Sequence, residues 1–118
     1  MVITKRENLI RTIEELVSSS SRLRETLQGY ERAMVKIGRG LERGEPAISA
    51  SQGTGIPAQR RQVTEAIEEF EAARHRLRLA LFALAGEEGA SISEVGRVLG
   101  ISRQLASRLA GEAAQQDR

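Results

Sequence analysis

The chain has 118 residues, enough for one domain or for a small domain with an extension. Hydrophobic residues make up 40% and charged residues 29%, which argues against disorder, while 3% aromatics and no Trp argue against an aromatic-lined ligand pocket. The net charge of +2 neither demands nor forbids nucleic acid; with no Cys and a single His, disulfides, thiolate metal sites and a zinc site are excluded.

The first predicted helix opens at Thr4, with Glu7 three residues on as in a capping box. From there Leu9, Ile13, Leu16, Ser20, Leu23, Leu27, Tyr30, Met34, Ile37 and Leu41 recur in steps of four and three, the a/d pattern of a coiled coil. Ile10 and Val17 widen this stripe, which favours a helical bundle over a two-stranded rod. A helix of this length spans roughly 50 Å or more and needs a partner helix over its seam. Residues 1–44 are therefore read as an oligomerising coiled-coil helix, frayed and ended by Gly38, Gly40 and Gly44 before Pro46. Residues 45–57, EPAISASQGTGIP, are read as a flexible linker; the glycines there lack the Lys-Ser/Thr pair of a phosphate-binding loop.

Residues 58–85 form the second long helix, with Pro57 suited to its first turn and Val63, Ile67, Phe70, Arg74, Leu77, Leu81 and Leu84 at heptad spacing. Arg74 in that seam reads as an aliphatic stem with its charge in water, and His75 as a surface residue. Residues 77–85, LRLALFALA, are apolar on nearly every side and so join two packing surfaces, the bundle and the segment that follows. Gly86 is expected to end the helix.

Residues 86–118 carry the functional pattern. Ser91 and Glu94 form a second capping box, and ISEVGRVLGISRQLASRLAG fits a helix-turn-helix position by position. Gly96 lies where two helices cross closely and Gly100 where the turn needs a left-handed backbone. Val95, Leu99, Ile101, Ala106 and Leu109 point inward, and Ser102 caps the second helix. Over residues 86–112 the string GAS-x-x-EVGR-x-LGISRQ resembles the helix-turn-helix of small bacterial DNA-binding proteins, of the sigma region 4 and Fis kinds. That resemblance implies a trihelical module that binds double-stranded DNA. Ser102, Arg103, Gln104, Ser107 and Arg108 then face outward from the recognition helix. Arg103 suits guanine O6/N7 and Gln104 adenine N6/N7, each at about 1–3 kcal/mol of discrimination. Arg97 and Arg108 suit phosphates. The charge balance opposes this reading: the segment holds Arg97, Arg103, Arg108 and Arg118 against Glu87, Glu88, Glu94, Glu112 and Asp117. Arg74, Arg76 and Arg78 are the candidates to restore a positive field.

The expectation is an all-α chain in which two long helices of a coiled coil or bundle precede a trihelical helix-turn-helix. It acts as a cytoplasmic, nucleoid-located transcriptional regulator, a homodimer or higher even oligomer with recognition helices about 34 Å apart. The alternatives are a nucleoid-associated DNA-bridging protein and a coiled-coil adaptor whose helix-turn-helix docks on protein such as RNA polymerase. No enzyme activity, cofactor, metal or membrane partner is expected, since no nucleophile–base pair, paired carboxylates, secretion signal or long apolar run is present.

Overall fold

The computed structural model describes residues 2–116. Met1, Asp117 and Arg118, which belong to the first and last predicted segments, lie outside the described residues. All regular structure within them is α-helical: α1 (Lys5–Glu42), α2 (Ala47–Ser51), α3 (Ile56–Glu87), α4 (Ile92–Leu99) and α5 (Arg103–Gln116). The fold is all-α, and no helix among the described residues is long and apolar enough to cross a membrane.

Local chemistry explains where the helices start and stop. The Thr4 hydroxyl accepts the Glu7 amide at 3.0 Å, the N-terminal cap of α1. α1 runs through Gly38 and Gly40 and stops at Gly44, whose φ of 88° is left-handed. There the Gly44 amide donates to the Leu41 carbonyl and the Glu45 amide to the Gly40 carbonyl, each at 3.0 Å, the paired bonds of a Schellman end. α3 passes Gly86, contrary to the expectation that it ends there. A single glycine inside a helix costs only about 1 kcal/mol, and the stop needs a left-handed residue, which is Gly89 at φ 90°. Again the two returning bonds form, from Gly89 to Gly86 at 3.1 Å and from Ala90 to Ala85 at 2.9 Å.

The linker predicted as flexible contains a helix. Ala50 of α2 is buried, and a Cβ at Gly40 would lie 3.2 Å from the Ala50 Cβ. Gly40 is thus a contact glycine, admitting α2 against α1, and its absent side chain explains why α1 carries glycine inside its last turns. A five-residue helix of small residues gives no periodic signal, so composition alone reads as linker.

The chain divides into two compact units, with the boundaries inside both long helices: residues up to Val17 with those from Ala72, and Ser18–Glu71. In the first unit the α1 start runs antiparallel to the α3 end, tied by ion pairs Lys5–Glu87 at 3.3 Å, Arg6–Glu88 and Arg76–Glu15 at 3.2 Å. Its core joins Leu79 and Phe82 of α3, Val95 of α4 and Ala106, Leu109 and Ala113 of α5, with Leu99 and Ile101 packed against it. No residue from 77 to 85 is exposed, as their apolar character on every side requires. In the second unit Arg22 of α1 pairs with Glu69 of α3 at 2.7 Å, while Ser19, Ala33, Ala50 and Ala66 are buried.

The seams of the long helices differ from the predicted ones. On α1 the buried positions are Thr12, Ser19, Ala33 and Gly40, and on α3 a buried row runs through Ala66, Ala73 and Ala80 beside Leu79, Phe82 and Leu84, both rows at multiples of seven. Half of the predicted α1 row, Leu9, Leu16, Leu23, Tyr30 and Ile37, flanks this line half-buried. Of the other half Met34 is half-buried too, while Ile13, Ser20, Leu27 and Leu41 are exposed, as are Ile10 and Val17. On α3 the row partnering Val63, Phe70, Leu77 and Leu84 is Ala66, Ala73 and Ala80, one residue before the predicted Ile67, Arg74 and Leu81. Small side chains thus occupy the buried row of each long helix. Hydroxyls are tolerated there because they bond their own helix, as Thr12 Oγ1 does to the Leu9 carbonyl at 2.8 Å.

Candidate nucleic-acid interface

α4 and α5 are set by three local devices. At the start of α4, Ser91 Oγ accepts the Glu94 amide at 3.1 Å and Glu94 Oε1 accepts the Ser91 amide at 3.2 Å, the full capping box. At its end Gly100 is left-handed (φ 69°, ψ 33°), with amides 100 and 101 returning to the Arg97 and Gly96 carbonyls at 3.2 and 3.0 Å. Ser102 then caps α5, its Oγ accepting the Leu105 amide at 3.1 Å. Between the helices, Gly96 and Ala106 are buried against each other: a Cβ at Gly96 would stand 3.1 Å from the Ala106 Cβ. This fixes how closely α4 and α5 cross.

All six candidate residues are exposed: Arg97 on α4, Ser102 before α5, and Arg103, Gln104, Ser107 and Arg108 on α5. Arg97, Arg103 and Ser107 line one cleft of about 260 Å³ between the two helices, over a floor of Gly96, Ile101 and Ala106. Gln104 and Arg108, one turn apart, occupy the neighbouring row of α5. Ser93, which sequence reasoning passed over, lines the same cleft from α4. Its signal was present, since it is a polar residue three before Gly96 and four before Arg97, hence on the face they share.

The ion pairs resolve the charge problem. Every acidic side chain described from residue 86 onward is engaged: Glu87 with Lys5, Glu88 with Arg6, Glu94 in the α4 cap and Glu112 with His75. Among the described residues Arg97, Arg103 and Arg108 have no ion-pair partner. Glu87 and Glu88 are thereby offset by cations of α1, while Glu112 is bonded to His75 of α3 and Glu94 to the α4 cap, which leaves three arginines without an ion pair on the exposed face of α4 and α5. Arg76, a candidate to supply positive field, is committed to Glu15, and Arg74 is half-buried. His75 is exposed as expected but is not idle, because it holds Glu112 of α5. No group of three His, Asp or Glu among the described residues is placed to hold a metal ion.

Compared with known proteins, the chain matches no protein-family model, no curated protein and no solved structure.

The cap at Ser102 has a measurable weight. Ser102→Ala should lower stability by about 1 kcal/mol, as loss of a Ser cap does elsewhere, while Ser102→Asp keeps the cap and should melt near the parent temperature. Thermal unfolding followed by helical circular dichroism reads both. Equal melting of Ala and Asp variants would show that the hydroxyl does not cap α5.

Proposed function

We propose that the chain is a dimeric, sequence-specific DNA-binding regulator that inserts α5 into the major groove and works at the nucleoid. The observation that carries this reading is the trio of arginines without an ion pair on α4 and α5, beside carboxylates that are engaged by Lys5, Arg6, His75 and the α4 cap. Arg103, at the first turn of α5, presents a planar fork suited to guanine O6/N7, and Gln104 beside it suits adenine N6/N7. Arg97, Ser93 and Ser107 surround a cleft whose charge and hydroxyls suit a backbone phosphate, and Arg108 suits a second. Such contacts position the module, whereas Arg103 and Gln104 read sequence.

Fluorescence anisotropy on mixed genomic fragments over a salt series tests this. Binding should weaken linearly in log–log form with salt. Arg103→Ala and Gln104→Ala should each lose about 1–3 kcal/mol on preferred fragments. Arg97→Ala should weaken all fragments alike and lower the salt slope by about one. Absence of binding at low salt by a folded protein rejects the reading. One observation favours the protein-docking alternative: Val98 of α4 is 80% exposed, an apolar contact suited to a protein such as RNA polymerase. That alternative predicts no DNA binding by the folded parent protein, and weaker binding to RNA polymerase by Val98→Ser than by the parent.

A further inference from the structure

α1 carries a second heptad row beside the buried one. Ile10, Ile13, Val17, Leu27 and Leu41 are 37–64% exposed, and Met34 is half-buried. They fall at the alternating three- and four-residue steps of a coiled-coil seam, completed by Ser20, Arg24, Glu31 and Gly38. Apolar side chains scattered singly over a surface need no explanation, but six apolar residues at ten successive seam positions of one helix mark an interface.

We propose that this row is covered by α1 of a second copy of the chain, lying antiparallel. The charges decide the direction. Between residues 10 and 41 the row has one cation, Arg24, and one anion, Glu31, on either side of Leu27. A parallel two-fold pair sets Arg24 against Arg24 and Glu31 against Glu31, and like charges face to face are destabilising. In the antiparallel pair that sets Ile10 beside Leu41 of the other copy, Val17 meets Met34, and Arg24 lies beside the other copy's Leu27, one turn from its Glu31. The same register places Ile13 over Gly38, where no atom lies within 4 Å of the position a Cβ would take. Opposite charges are brought together, and the one bulky–small mismatch in the row is filled. The inference deepens the dimer in the proposed function by naming its surface and direction, yet it does not depend on DNA binding.

Because the chain has no cysteine, single engineered cysteines report the direction in the full-length protein without DNA. Ile10→Cys mixed with Leu41→Cys and mildly oxidised should give a disulfide-linked dimer, while neither variant alone should. Self-linking of Ile10→Cys alone shows a parallel pair and overturns the proposal. Failure of the mixture to link overturns it as well. Sedimentation gives a second reading: Arg24→Glu and Glu31→Arg should each weaken the dimer at least about tenfold, or about 1.4 kcal/mol, and the variant with both exchanges should recover it. Unchanged dimers in both single variants exclude this row. None of these outcomes bears on the anisotropy titration, so either result stands if the other fails.

Discussion

Phe82→Ala should lower the stability of the protein by about 3–5 kcal/mol, the usual cost of emptying a phenylalanine site in a core. Phe82 is the largest side chain in the cluster where α3, α4 and α5 meet, and its neighbours there are Leu79, Val95, Ala106, Leu109 and Ala113. Three of those are Ala or Val, short chains that cannot swing in to fill the void, so the cavity term should be near its full size. Whole domains are stable by only about 5–15 kcal/mol, so the loss removes a large part of what holds α5 in place. Urea unfolding read by circular dichroism should show a markedly earlier midpoint. DNA affinity should fall with it, although Phe82 sits on α3 and touches no proposed contact. A midpoint shift worth less than about 1 kcal/mol would mean that α3 is not part of this core.

Gly96→Val should be the second large effect. A single Cβ at this position comes within 3.1 Å of the Ala106 Cβ, so a few tenths of an ångström of adjustment accommodates Ala. Ala also gains about 1 kcal/mol of helix propensity over Gly, which offsets the tightness and should leave Gly96→Ala near neutral. Val adds two methyl groups to the same gap and is stiff at χ1. Overpacking of this kind costs about 1–3 kcal/mol, and relief requires α4 and α5 to move apart. That separation opens the cleft shared by Arg97 and Arg103, so DNA binding should fall by more than the melting temperature alone explains. Differential scanning calorimetry together with anisotropy on one fragment checks both parts. Val and Ala variants that melt alike would show that the crossing is looser than the Gly96–Ala106 contact implies.

The C-terminal part was legible because its signals are local and redundant. Ser91 with Glu94, Gly100 and Ser102 each specify a backbone event through their own chemistry, and all of these events occur where those residues stand. The long helices were legible in existence and extent, within a few residues, from their 3.5-residue period. Their packing was only half legible. A search for large apolar residues finds Leu9, Leu16 and Leu23 but is blind to Thr12, Ser19, Ala73 and Ala80, whose smallness is what qualifies them for the seam. It therefore assigned Ile13 and Leu27 to a row that the chain leaves exposed. Gly86 misled for a related reason, since glycine permits a helix end but only a left-handed residue makes one, and that residue is Gly89. The ion pairs of Glu87, Glu88 and Glu112 lay beyond sequence reasoning altogether. Their partners are 37 to 82 residues away, and a charge tally over one segment cannot see them.

The seam of small residues also sets what the long helices lose on ordering. Burying Leu, Ile or Met freezes rotamers at roughly 0.5–2 kcal/mol apiece, whereas Ala and Gly have none to freeze. With Ala33 on α1 and Ala66, Ala73 and Ala80 on α3 among the buried positions, part of the burial along the long helices is made by atoms already fixed once each helix forms. Burying those positions adds little ordering cost beyond that of forming the helices, and the exposed Ile10, Ile13, Val17, Leu27 and Leu41 keep rotamer freedom that a further partner would draw upon.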